Sequence, residues 1–195
     1  MVEELVPGFK VVIIGDTSVG KTSILTQYNL HYFSQEVQPT IGSSFLSSTI
    51  QTEKGPVTLN IWDTAGQEKY RCLVPMYSRS AIAAIIVIDA SGKANCTCIE
   101  EWVDCVRKNC SPECKIYIVA NKIDLPDTIP MTDLIQYAQT NGFPFFSSTA
   151  TLYNSVAPIF NQIACDISLA YYINQNKKEE DIDIFKKINK KNGCC

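Results

Sequence analysis

The most constraining feature of the chain is an apolar run followed by a glycine-spaced loop and a helix. Val11-Val12-Ile13-Ile14 reads as a strand buried on both faces, and Gly15-Asp16-Thr17-Ser18-Val19-Gly20-Lys21-Thr22-Ser23 follows it directly. Gly15, Gly20, Lys21 and Thr22 fit the pattern GxxxxGK[ST]. A strand that ends in such a loop turns its backbone N–H groups inward, and the helix beginning at Lys21 adds its positive dipole end. The natural guest is a polyphosphate. Lys21 is placed to meet the β- and γ-phosphate oxygens and the Thr22 hydroxyl to ligate Mg²⁺. The plainer reading, an ordinary glycine-containing turn, does not account for the strand in front and the helix behind.

A chain of 195 residues with 46% hydrophobic residues builds one well-buried core. From Asn176 onward six lysines and four acids give the end of the chain +2, and the remainder, with 11 basic and 16 acidic residues, carries −5. An acidic folded unit argues against nucleic acid as a partner, yet it leaves room for a single nucleotide met by local N–H groups, a lysine and a metal. The first residues, Met1 to Pro7, lack the basic and long apolar regions of a signal peptide, so the 9 cysteines point to a reducing compartment rather than a disulfide framework. Cys96-x-Cys98, Cys105 and Cys110-x-x-x-Cys114 do not follow a standard zinc spacing, and buried or inert thiols fit them better. The longest wholly apolar run, Ala81 to Ile88, is too short to span a membrane.

Short, nearly continuous apolar runs recur at Val11–Ile14, at Leu59–Trp62, at Ala83–Ile88, at Ile116–Val119 and, more weakly, at Phe145-Phe146. Such runs mark strands covered on both faces of a parallel sheet. Helical candidates lie between them, at Thr22–Tyr32, Ile99–Asn109, Thr132–Asn141 and Tyr153–Tyr172. The alternation predicts an open α/β sheet with helices on both faces and ligand loops at the strand C-termini. Phe45–Thr52, Glu53-Lys54-Gly55 and Pro56–Trp62 read as a hairpin that adds one antiparallel edge strand. Residues 1–172 are expected to form one domain and 173–195 a flexible, charged tail.

Two further loops carry chemistry. Asp63-Thr64-Ala65-Gly66-Gln67 emerges at a strand end: Asp63 suits an anchor for Mg²⁺, Gly66 lets the backbone approach a γ-phosphate, and Gln67 is placed to orient an attacking water. Asn121-Lys122-Ile123-Asp124 follows another buried strand. The Asp124 carboxylate accepts from N1–H and the exocyclic amine of guanine, whereas adenine leaves it unpaired. Asn121 is expected to hold the neighbouring loop and contact the base edge, and the Lys122 stem to lie over the base.

With these motifs in order, the chain resembles a Ras-superfamily small GTPase, and within it the Rab family, up to about Tyr172. The resemblance implies a P-loop NTPase small G domain with a mostly parallel mixed sheet. It implies a switch that binds and hydrolyses GTP, with Mg²⁺ held by Thr22, Thr40 and Asp63, and Gln67 serving catalysis. Thr40 matches the switch I threonine, Phe33 the aromatic that packs on guanine, and Thr149 and Ala150 the last guanine loop. Ile41, Phe45, Trp62 and Tyr77 match the surface that receives effectors, with plain core packing as the alternative for the aromatic three. Leu73-Val-Pro-Met-Tyr77, with Pro39-Thr-Ile-Gly42 before it, is most similar to the early-endosomal branch. The terminal Cys194-Cys195, after lysines 186, 187, 190 and 191, resembles the double prenylation signal of the family.

The resemblance further implies a monomer cycling between cytosol and the cytoplasmic face of endosomal or other vesicular membranes. Its partners there are effectors, an exchange factor, a GTPase-activating protein, an escort protein and a GDP-dissociation inhibitor. The competing expectation is a non-hydrolysing scaffold that keeps its nucleotide. Three positions depart from the family: Ser18 and Ser80 stand where glycine is usual, and Thr151 replaces a packing lysine in Ser147-Ser-Thr-Ala-Thr151.

Overall fold

The computed structural model describes residues 6–36, 40, 42–64, 74–91, 96–126 and 131–191, without side chains at 74, 75, 96 and from 175 onward. Ile41, Gly66, Gln67, Cys194 and Cys195, all singled out above, lie outside the described residues.

Six strands form one sheet in the order β2-β3-β1-β4-β5-β6: β1 (Gly8–Ile14), β2 (Ser43–Thr52), β3 (Gly55–Thr64), β4 (Ala83–Asp89), β5 (Lys115–Asn121) and β6 (Phe145–Ser147). All neighbouring pairs run parallel except β2 with β3. The four apolar runs and the expected hairpin are thus the core of the sheet. Because side chains alternate along a strand, each run serves two cores. Val11, Ile13, Ile85, Val87, Tyr117 and Val119 point to one face, while Val12, Ile14, Ile86, Ile88, Ile118 and Ala120 point to the other.

The first face is covered by α1 (Lys21–Leu30) and α5 (Tyr153–Lys191), which place Ile24, Leu25, Phe160 and Ile163 against it. The second is covered by α3 (Cys96–Asn109) and α4 (Thr132–Thr140) through Ile99, Trp102, Val103 and Leu134. A short α2 (Val74–Ser78), which no periodicity announced, precedes β4. The mixed sheet with its single antiparallel edge is the fold of small G domains.

One expectation needs correction. The last helix, expected over Tyr153–Tyr172, is longer: the backbone of α5 continues to Lys191. Neither glycine nor proline interrupts the sequence between Pro158 and Gly193. Its lysines, glutamates and glutamines are good helix formers, so a charge-rich composition that reads as tail is equally compatible with helix. Before that extension, α5 is tied to the β2–β3 hairpin: Thr52 and Ser168 share a hydroxyl hydrogen bond at 2.7 Å, and a Cβ at Gly55 would come within 2.5 Å of the Tyr172 hydroxyl.

Candidate functional site: a phosphate loop joined to a base-reading loop

The C-terminal ends of β1, β3 and β5 open on one cavity of about 530 Å³. Its walls include Thr17, Ser18, Gly20, Lys21, Thr22 and Ser23 at one end, and Asn121, Lys122, Asp124, Thr149 and Ala150 at the other, with Phe33 and Thr40 along the side. Gly15, Asp16, Val19 and Asp63, named in the sequence reading, are not among the residues that line it. The sequence reading did not single out Ser34, Gln35, Thr64 and Leu125, which also reach the cavity.

The phosphate loop has its shape for steric reasons. A Cβ at Gly15 would lie 2.2 Å from the Val87 carbonyl, so the loop passes β4 too closely for any other residue. Gly20 adopts φ +98° and caps α1 without a side-chain hydrogen bond, leaving the first-turn N–H groups of the helix facing the cavity. Lys21 is 5% exposed, and its Nζ donates to the carbonyls of Gly15 at 2.8 Å and Asp16 at 2.7 Å. Burial pushes its pKa down to about 8, against the upward pull of Asp63 and Asp16.

Below the loop three oxygens converge. Thr22 Oγ1 donates to Asp63 Oδ2 at 2.6 Å and lies 2.7 Å from Thr40 Oγ1. A hydroxyl has one proton, so with that of Thr22 given to the carboxylate, Thr40 is the donor in the second bond. The sequence reading missed Ser44, which donates to the same carboxylate oxygen at 3.5 Å and faces Asp63 across the β2–β3 ladder. Asp63 Oδ1 is buried with no hydrogen-bond partner. Burial pushes the Asp63 carboxyl above its ordinary range, although Thr22, the charge of Lys21 and Ser44 all oppose that shift. Two hydroxyls and a carboxylate with an unsatisfied buried oxygen suit a hard cation such as Mg²⁺, which takes few protein oxygens and leaves positions for phosphate and water.

At the other end Asn121, 1% exposed, bridges two loops. Its Nδ2 donates to the Val19 carbonyl at 2.9 Å, and its Oδ1 accepts from Ser148 Oγ at 3.3 Å. Thr149 N donates to Ser155 Oγ at 2.9 Å, and the Thr149 and Thr151 hydroxyls are 2.8 Å apart. Thr151 thus stiffens the loop that presents Ala150. Lys122 is held from the side, its Nζ 2.5 Å from Asp89 Oδ2. Burial raises the Asp89 carboxyl, but hydrogen bonds from Lys122 and Ser91 outweigh it and hold the group below its usual range.

Phe45, Trp62 and Tyr77 make a contiguous aromatic row away from the cavity. Phe45 meets Trp62 edge-on at 5.3 Å and Trp62 stacks with Tyr77 at 6.1 Å. Phe45 is 56% exposed while Trp62 also packs on the core, so surface and packing roles coexist.

A family model described as "Ras family" matches residues 10–169. Curated relatives include Ras-related protein RABF2b of Arabidopsis thaliana, 38% identical over 157 residues that cover 80% of this chain and 78% of that protein. Ras-related protein Rab5 of Nicotiana tabacum is 37% identical with the same coverage. Ras-related protein Rab-11A of Dictyostelium discoideum is 33% identical over 82% of this chain and 75% of its own length. The chain belongs to the Ras family and, within it, to the Rab small GTPases, which bind GTP, hydrolyse it and act as switches in membrane traffic.

Proposed function

We propose that this Rab protein selects guanine through Asp124 and Asn121 and holds Mg²⁺ through Thr22, Thr40 and Asp63. The observation that carries the proposal is the Asn121–Val19 hydrogen bond, which makes the base-reading and phosphate-binding loops two ends of one cavity. Lys21 and the N–H groups of the loop and of α1 meet the phosphates. Mg²⁺, when bound, neutralises charge on the β- and γ-phosphate oxygens. Gln67 orients the attacking water, and Thr40 and Gly66 tie the two switch segments to the γ-phosphate, so that hydrolysis releases both. With no arginine in the phosphate loop, hydrolysis on its own is slow, and a GTPase-activating protein supplies about 10³ to 10⁵ in rate.

In the GTP state Ile41, Phe45, Trp62 and Tyr77 receive effectors on an endosomal or other vesicular membrane. Segment 173–195 links the G domain to that membrane through prenyl groups on Cys194 and Cys195, since two lipid chains anchor stably where one does not. Exchange factor, escort protein and GDP-dissociation inhibitor complete the cycle. Nothing in the comparisons favours a non-hydrolysing scaffold.

The test is base selectivity. Asp124→Asn replaces an acceptor carboxylate by an amide and is expected to move preference from guanine toward xanthine nucleotides. Unaltered GTP-over-XTP selectivity in a competition assay removes Asp124 from the base site. Membrane fractionation of Cys194→Ser/Cys195→Ser tests the anchor, and a double variant that stays on membranes overturns it.

A further inference from the structure

Gln27 is a polar side chain in an apolar place. It stands on α1 beyond Lys21, about 9 Å along the helix axis, and is 6% exposed. Its neighbours Ile24, Leu25 and Tyr28 pack on the first core. Its Nε2 donates to the Thr151 carbonyl at 3.3 Å, across 124 positions of sequence, while its Oε1 is buried with no hydrogen-bond partner. A carbonyl can only accept, which fixes the end of the amide that carries the nitrogen. A buried acceptor left unpaired costs stability, and an apolar side chain of the same length would fill the space without that cost. What the amide adds is one donor, aimed at one loop. Such a break with core composition points to a functional constraint.

The loop is the connection from β6 into α5, and it places Thr149, Ala150 and Thr151 on the cavity wall. Its first half is fixed to the end of β5: Ser148 N donates to Ala120 O at 2.8 Å, and Ile123 N donates to Ser148 O at 3.2 Å. Its second half is bonded within itself and to the start of α5. Thr151 N donates to Thr149 Oγ1 at 3.2 Å, Leu152 N to Thr149 O at 3.3 Å and Thr149 N to Ser155 Oγ at 2.9 Å. Gln27 ties this second half to α1. Helix α1 is itself seated on the first turns of α5 by ring contacts, Tyr28 with Phe160 and His31 with Tyr153, each with centroids 4.1 Å apart. The helix that begins with Lys21 therefore also holds the carbonyl next beyond Ala150.

We propose that Gln27 is a positioning residue for guanine recognition: by holding the Thr151 carbonyl, it sets where the Ala150 N–H stands against the guanine O6. The inference rests on the guanine site proposed above, in which Asp124 reads N1–H and the exocyclic amine. The two contacts come from different supports, Asp124 from the end of β5 and Ala150 from the loop that Gln27 holds. A hydrogen bond weakens steeply as its donor drifts out of line. Loosening this loop therefore costs the O6 contact and spares the contacts of Asp124.

The test uses the full chain with Mg²⁺ and three nucleotides, each competed against fluorescent GDP. They are GDP, inosine diphosphate, which lacks the exocyclic amine, and 6-thioguanosine diphosphate, which keeps N1–H and the amine but puts a poor sulfur acceptor in place of O6. The parent should prefer GDP over both. Gln27→Met keeps the length and helix propensity of the side chain and removes the donor together with the unpaired oxygen. It should lower the preference for GDP over the thio analogue about fivefold to tenfold, the loss expected of one misplaced hydrogen bond. Its preference for GDP over inosine diphosphate should stay within about twofold of the parent's. Gln27→Leu, a second apolar replacement, should give the same pattern. A thio preference unchanged in the variants overturns the proposal, as does a parent indifferent to the thio substitution. An equal fall in both preferences also overturns it, because Gln27 then supports packing alone. The parent's preference for GDP over inosine diphosphate keeps the two failures apart: its absence removes the guanine site itself, and this inference with it.

Discussion

Asn121 Nδ2 and the Val19 carbonyl, 102 positions apart in sequence, are joined at 2.9 Å in the floor of the nucleotide cavity. A Cβ on Gly20 would stand 2.3 Å from the same Nδ2, so the phosphate loop and the base-reading strand end are fitted to each other without slack. Asn121→Ala leaves the Val19 carbonyl unpaired and releases Ser148. Losing such a buried pair costs about 1–3 kcal/mol, so GTP and GDP affinity should both fall by about tenfold to a hundredfold. Gly20→Ala should be harmful too, through the clash and through φ +98°. The double variant should lose less than the two single losses together, because removing the Asn121 amide removes one of the two penalties. Titration with fluorescent GDP measures all three, and strict additivity would mean that the two loops are independent.

Asp63 offers a second test, on the metal. Its Oδ1 is buried and unpartnered, and its Oδ2 already accepts from Thr22 and Ser44. Asp63→Asn keeps the shape but removes the anionic oxygen that a hard cation prefers. In the parent, chelation of Mg²⁺ should speed release of fluorescent GDP about tenfold or more. In the variant, release should be fast with or without chelator. An unchanged ratio would place Mg²⁺ on other ligands.

What the sequence disclosed depended on how local the signal was. Strands β1, β4 and β5 were legible because buried parallel strands are continuously apolar, and the hairpin was legible from Lys54-Gly55 between two β-prone segments. Helix α2 was not, since five residues carry no period, and the extension of α5 was hidden by its charge. The loop residues around the cavity were readable from motif spacing. The pairings Ser44–Asp63 and Lys122–Asp89 were not, because register and loop closure set them.

Gln67→Leu separates hydrolysis from binding. The substitution removes the amide to which the proposal gives the orienting of water, and leaves Lys21, Thr22 and Asn121 in place. Single-turnover GTP hydrolysis should drop about tenfold or more, while GTP affinity stays within about twofold of the parent. Equal hydrolysis rates would take Gln67 out of the reaction.

Ser18 and Ser80 both adopt left-handed backbone, with φ +60° and +63°. A side chain with a Cβ costs about 1–2 kcal/mol in that region. Both serines are exposed, so no packing is lost by removing them. Glycine also adds freedom to the unfolded chain, which returns about 0.4–1 kcal/mol of the gain. Ser80→Gly should therefore stabilise the protein by about 0.5–1 kcal/mol, a rise in Tm of about 1–4 °C for a domain of this size. Ser18→Gly should do the same and leave the loop freer to close on phosphate. Gly142→Ala supplies the reverse control: φ is +69° and nothing lies within 4 Å of the added Cβ, so backbone strain alone should lower Tm by a similar amount. Thermal unfolding of the GDP-bound protein at saturating nucleotide measures each change. A fall in Tm for Ser80→Gly alongside the expected fall for Gly142→Ala would show that the serine side chain contributes a stabilising contact larger than its backbone strain.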